Sequence, residues 1–205
     1  MTFPTIKVCG MKNPDLINQC IEGGAKLIGF IVNYPKSPRS ITFEQLNLLT
    51  QKIKTGIHSV AVMVNPTIEE VKIISKNCTY IQLHGDEDNN FIKIVRNETN
   101  LKIIKAIKVS EESDLEKIND YPDADYILYD TPAMGKDGPA FNFELLKNIK
   151  HNDFFVAGKI DINNAKEALQ FSNKIDVNSG LETEKGIKDP NKIKDFFNLI
   201  KKYEN

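Results

Sequence analysis

Cys9 closes the apolar run 5–9, and Asp130 follows directly on another at 126–129. A thiol and a carboxyl at the ends of two such runs are the material of a general base and a general acid. The thiol serves as a base only once ionised, and the carboxyl as an acid near neutrality only if burial raises its pKa. Other chemistry-bearing residues sit in the same relation to apolar runs. Arg39 lies in the Pro35-Lys36-Ser37-Pro38-Arg39-Ser40 stretch after 27–32, Gln82 lies at the end of the run 80–83, and His84 follows it. Gly158 and Lys159 follow 154–157, and Ser179 and Gly180 follow 175–177. A guanidinium can hold a carboxylate through paired hydrogen bonds. Glycine and serine let an anion approach the backbone.

Each of these residues also has a plain structural reading. Cys9 reads equally as a small buried hydrophobe, and Asp130-Thr131-Pro132 as a strand-to-loop turn. His84 could cap a turn, Arg39 could be fixed at the surface between Pro38 and a helix start, and the glycines could be ordinary turn residues. Cys20 and Cys78 are taken as packing.

The elements that must position these groups repeat along the chain. Short runs at 5–9, 27–32, 59–64, 80–83, 102–107, 126–129, 154–157 and 175–177 read as strands. Segments with helical apolar spacing separate them, with starts at Asn13-Pro14, Thr42, Thr67, Asp86, Ser110, Asp161 and Asp189-Pro190. Leu16, Ile17, Cys20 and Ile21 form one stripe of the first helix. Strands that are apolar at nearly every position and separated by helices imply a parallel sheet covered on both sides. Eight units suit an α/β fold of the (β/α)8 TIM-barrel type. The rival, an open doubly wound sheet, lacks its Gly-rich fingerprint after the first strand. Either way, ligands gather at the carboxyl ends of the strands. Lys7 shares the parity of Cys9, roughly 6–7 Å away along the strand. A nearby ammonium and strand-end amides are expected to favour the thiolate.

Composition narrows the function classes. The 205 residues show no composition break, so one domain over 1–205 is expected, and a formal net charge of −1 gives no case for nucleic acid or an anionic membrane. No apolar run is long enough to cross a bilayer, and no signal peptide is visible. Three cysteines cannot all pair and match no zinc spacing, so a reduced, cytoplasmic setting is expected.

In order, the strand ends read KVCGM (7–11), GFIVNYPKSPRSI (29–41), VAVMVNP (60–66), IQLHGDE (81–87), KAIKV (105–109), ILYDT (127–131), VAG (156–158) and DVNSGLE with GIKD (176–182, 186–189). Together these resemble the phosphoribosylanthranilate isomerase family over almost the whole chain. The resemblance implies an Amadori rearrangement of N-(5'-phosphoribosyl)anthranilate in tryptophan biosynthesis, an aminoaldose becoming an aminoketose. It implies Cys9 as base, Asp130 as acid, and Arg39 as ligand of the anthranilate carboxylate, with Gln82 and His84 lining the pocket. The substrate phosphate is expected at Gly158, Lys159, Ser179 and Gly180. Proton transfers alone accomplish this reaction, so no cofactor and no metal are expected. The expected partner is the small phosphosugar substrate, and the expected assembly a monomer or homodimer.

The chain departs from the family pattern in three places. The usual G-G-T-G-K-x-F-D-W reads Gly135-Lys136-Asp137-Gly138-Pro139-Ala140-Phe141-Asn142-Phe143, L-A-G-G-L reads Val156-Ala157-Gly158-Lys159-Ile160, and S-S-G reads Asn178-Ser179-Gly180. These changes support the alternative of a non-catalytic barrel that merely binds a phosphosugar. Other phosphosugar barrels fit less well: there is no internal repeat, and only His84 is placed as a metal-binding epimerase would need.

Overall fold

A computed structural model of the chain describes residues 3–132, 138–149, 151 and 153–203. The expectations at Gly135, Lys136 and Asp137 lie outside the described residues.

Eight parallel strands close on themselves. They are β1 (Thr5–Val8), β2 (Leu27–Val32), β3 (His58–Met63), β4 (Tyr80–Leu83), β5 (Lys102–Lys108), β6 (Tyr126–Asp130), β7 (Phe154–Val156) and β8 (Lys174–Val177). Each pairs with its neighbour in sequence, and β1 pairs with both β2 and β8, which closes the barrel. A two-residue strand, Ser40–Ile41, adds to the end of β2, and an antiparallel hairpin of Glu182–Glu184 and Ile187–Lys188 follows β8.

The strands bury both faces against different partners. Leu27, Val60, Val62, Ile104, Leu128 and Phe155 fill the barrel interior together with Cys9. Their alternates, among them Ile6, Val8, Ile28, Ile103 and Ile175, pack outward under the helices. This two-sided burial produces the near-continuous apolar runs of the sequence.

Local chemistry sets the helix starts. Asn13 accepts from the Asp15 and Leu16 amides, with Pro14 opening α1 (Pro14–Gly23). Thr42 and Thr67 form reciprocal capping boxes with Gln45 and Glu70, opening α2 (Phe43–Thr50) and α3 (Ile68–Ile74). Asp189 caps α6 (Pro190–Lys201), which buries Ile193, Phe196, Phe197 and Ile200. Each of these side chains contributes about 1.5–3 kcal/mol relative to exposure.

Three helical expectations are corrected. The N-cap of α4 (Asn89–Glu98) is Asp88 rather than Asp86, and α5 (Ala165–Phe171) begins past Asn164 rather than at Asp161. The segment after Ser110 is a 3-10 helix, Glu112–Asp120, with Leu115 its only buried residue. Among the described residues, the β6–β7 connection carries a 3-10 turn, Phe143–Leu146.

Candidate active site

A cavity of about 490 Å³ opens at the carboxyl ends of the strands, lined among others by Cys9, Arg39, Gln82, His84, Asp130 and Asp176. Gly158, Lys159 and Ser179 also line it. Gly180 does not. It packs so closely against the β7–α5 loop that a Cβ there would lie 2.1 Å from the Ile160 carbonyl oxygen.

Asp130 ends β6 and is nearly buried. Its Oδ1 accepts from the Thr131 amide at 2.7 Å, which leaves Oδ2 for a proton. Burial pushes its pKa up to about 7, against the Thr131 hydrogen bond and the Lys7 charge. The expected acid therefore retains a substantial protonated fraction near neutrality.

His84 faces that oxygen, with Nε2 3.7 Å from Asp130 Oδ2. Gln82 Nε2 lies 2.8 Å from His84 Nδ1. An amide nitrogen can only donate, so Nδ1 accepts and the ring proton sits on Nε2, towards Asp130. Burial, together with the charges of Lys7, Lys105 and Lys108, lowers the imidazole pKa to about 3. The ring is a neutral donor.

Cys9 follows β1, 4% exposed. Lys7 points into the barrel beside it, as strand parity predicts, but its ammonium is engaged by Asp176 Oδ2 at 2.8 Å. Lys7 stands directly opposite Asp176 in the β1–β8 register. Burial works against the Lys7 ammonium, but Asp176 and Cys9 together outweigh it, and its pKa is raised. The expectation of a favoured thiolate is corrected here. Burial dominates at Cys9, Lys7 offsets it only in part, and the thiol pKa stands above its usual 9.0.

Arg39 reaches the mouth over Gly10. A Cβ on that residue would sit 2.9 Å from the Arg39 Cδ, and its φ of +72° lies in the left-handed region open to glycine. The guanidinium is buried and forked onto Glu182, Nε to Oε1 at 2.8 Å and Nη2 to Oε2 at 2.7 Å. Lys188 Nζ also reaches Glu182 Oε1 at 2.8 Å.

Lys159 stands where the family pattern has glycine. Its φ is +56°, a conformation that costs a residue with a Cβ about 1–2 kcal/mol. Its Nζ donates to the Gly138 carbonyl, which ties the loop after β7 to the end of the loop after β6.

Two acceptors of the lining residues, Gln82 Oε1 and Asp176 Oδ1, are buried without a hydrogen-bond partner. They are suited to sugar hydroxyls. Among the described residues no cluster of His, Cys, Asp and Glu could hold a metal ion. Sequence reading missed Asp176, Glu182 and Lys188 as members of the site. All three fall inside the DVNSGLE and GIKD stretches, and the parity of Asp176 with Lys7 across neighbouring strands was the available signal.

Residues 6–199 match the family model described as N-(5'phosphoribosyl)anthranilate (PRA) isomerase. An N-(5'-phosphoribosyl)anthranilate isomerase of Sulfurihydrogenibium is 35% identical over 96% of this chain and 98% of its own. The crystal structure of phosphoribosyl anthranilate isomerase from Thermotoga maritima superposes with a TM-score of 0.87 at 29% identity, covering 97% of this chain and 99% of that one. Another solved phosphoribosyl anthranilate isomerase, 28% identical with a TM-score of 0.83 and the same coverage, is in complex with reduced 1-(o-carboxyphenylamino)-1-deoxyribulose 5-phosphate.

Proposed function

The chain belongs to the N-(5'-phosphoribosyl)anthranilate isomerase family, and from that premise we propose how its barrel mouth divides the work. The protein is an aldose–ketose isomerase of tryptophan biosynthesis, converting N-(5'-phosphoribosyl)anthranilate to 1-(2-carboxyphenylamino)-1-deoxyribulose 5-phosphate. Asp130 gives its proton to the furanose ring oxygen as the C1'–O bond breaks and the anthranilate nitrogen forms a Schiff base to C1'. The Cys9 thiolate then removes the proton from C2', and the electron pair moves to give an enaminol. Tautomerisation of the enaminol yields the aminoketose. The observation that carries this reading is Asp130 itself, a strand-end carboxyl whose pKa of about 7 keeps a proton available at the cavity.

His84 supports the acid. Its neutral Nε2–H, aimed at Asp130 Oδ2, steadies the carboxylate left behind without competing for the proton. Arg39 takes the anthranilate carboxylate, and Gln82 faces the sugar. Gly158, Lys159 and Ser179 receive the phosphate at the loops after β7 and β8, with Gly180 shaping the loop beneath them. Residues 1–205 are read as one barrel domain acting without cofactor as a monomer or homodimer. The three free, buried cysteines support a cytoplasmic setting.

Fluorescence decay of N-(5'-phosphoribosyl)anthranilate tests the roles. The purified protein is expected to turn it over, with Cys9→Ser and Asp130→Asn each lowering kcat about 100-fold or more. Folded protein without turnover would establish the non-catalytic alternative, and a fully active variant would remove its residue from the mechanism.

A further inference from the structure

The Arg39 guanidinium has five N–H donors, and two of them, on Nε and Nη2, are committed to Glu182. That uses one edge of the fork. The other edge, formed by Nη1 and the second Nη2 hydrogen, takes no partner among the described residues, and Arg39 lines the cavity. A carboxylate on Glu182 therefore fixes the plane of the guanidinium and leaves one bidentate face for a second carboxylate.

Two carboxylates on one guanidinium repel each other, and the structure contains the counterweight. Lys188 Nζ donates to Glu182 Oε1 at 2.8 Å, to Asn178 Oδ1 at 2.6 Å and to the Asn178 carbonyl at 2.9 Å. Three acceptors need three N–H groups, so the amine is protonated. The buried cluster of Arg39, Glu182 and Lys188 then carries two positive charges and one negative. One positive charge remains for a ligand, and it is already desolvated. Glu182 is itself firmly ionised: burial pushes its pKa up, but Arg39 and Lys188 overcome that and bring it to about 2.

The backbone around the cluster is equally constrained. The Gly186 amide donates to Glu182 Oε2 at 3.2 Å, and Lys192 Nζ donates to the Glu182 carbonyl at 2.6 Å. Gly186, at φ +85°, lets the hairpin lie on the Ser-Pro-Arg loop, where a Cβ would meet the Pro38 carbonyl oxygen at 2.8 Å. The hairpin after β8 thus holds the arginine that follows β2.

We propose that Glu182, backed by Lys188, is the positioning residue that makes Arg39 selective for the aryl carboxylate of the substrate. This rests on the reading of Arg39 as the carboxylate ligand. Glu182 touches no reacting atom, so its loss should alter carboxylate recognition rather than general affinity.

Calorimetry with two probes separates these effects: reduced 1-(o-carboxyphenylamino)-1-deoxyribulose 5-phosphate and its phenylamino counterpart lacking the carboxylate. The wild-type preference for the first over the second is the readout. Glu182→Gln is expected to cut that preference roughly tenfold or more while leaving affinity for the carboxylate-free probe within about twofold. Lys188→Met, which keeps the fork and drops one positive charge, should reduce the preference in the same direction, and it carries the test if Glu182→Gln does not fold. Arg39→Ala should abolish the preference. If Arg39→Ala abolishes it while Glu182→Gln and Lys188→Met both retain it, the positioning role is overturned and the Arg39 reading survives. If Arg39→Ala retains the preference, the Arg39 reading falls first and the positioning role with it.

Discussion

A carboxyl titrating at about 7 and a thiol titrating above 9.0 are seldom both in their working forms. The reaction needs the proton on Asp130 and none on Cys9. Between those two pKa values most molecules hold the reverse arrangement, a carboxylate and a thiol, with the same total number of protons. The productive form is then a constant minority, set by the gap between the pKa values. Below pH 7 both groups are protonated, and the productive fraction falls tenfold per pH unit. Thus kcat/KM should rise to about pH 7 and hold level above it until the thiol itself ionises, even though the acid is increasingly ionised across that range. A rate profile in N-(5'-phosphoribosyl)anthranilate decides this. Decline from pH 7 upward would show that ionised Cys9 is not required in the rate-limiting passage.

At the scale of elements, the carboxyl ends of the strands are held by buried ion pairs as well as by the ladder. Glu87 follows β4 and accepts from the Asn65 amide at 2.7 Å, the Gly85 amide at 3.0 Å and Lys105 Nζ at 2.7 Å. It thereby ties the loops after β3 and β4 to β5. Removing it leaves the Lys105 ammonium, 1% exposed, with the Gly85 carbonyl and the face of the Tyr121 ring, 5.3 Å away, but without a countercharge. Glu87→Ala should cost about 3–5 kcal/mol of stability by urea unfolding, and adding Lys105→Met should restore part of it. Strictly additive losses would show that the pair is not coupled. The same contact explains what the sequence conceals. Asp86, Glu87 and Asp88 offer neighbouring candidate caps, and only the distant Lys105 decides that Glu87 turns inward and Asp88 caps α4. Strands were legible because burial on both faces makes them apolar throughout. The 3-10 segment Glu112–Asp120 was not, since Leu115 alone is buried and no stripe marks the geometry. In the site, parity correctly turned Lys7 and Cys9 inward. What lies opposite them was hidden, because Asp176 is 169 residues from Lys7 and Glu182 is 143 from Arg39.

Across the whole molecule, one rim of the barrel carries ionisable groups that an apolar interior disfavours, and Asp130 is the least compensated. Lys7 has Asp176, Arg39 and Lys188 share Glu182, and Lys105 has Glu87, whereas Asp130 has one backbone amide and a neutral imidazole 3.7 Å away. Its folded pKa, about 7, lies above the ordinary carboxylate value of 3.8. Between those values the folded state therefore binds more protons than the unfolded chain, so stability declines as pH rises through that window. The contribution is fully present below 3.8 and lost above about 7. Asparagine keeps the shape and an oxygen for the Thr131 amide but cannot ionise. Asp130→Asn should thus be more stable than wild type by a few kcal/mol at pH 8 and by about half as much at pH 5.5. The same substitution removes the proposed acid, so stability and turnover should move in opposite directions. Urea unfolding of both proteins at the two pH values checks this. A variant no more stable than wild type at pH 8 would mean that Asp130 is ionised at little cost, and the argument for its acid role would go with it.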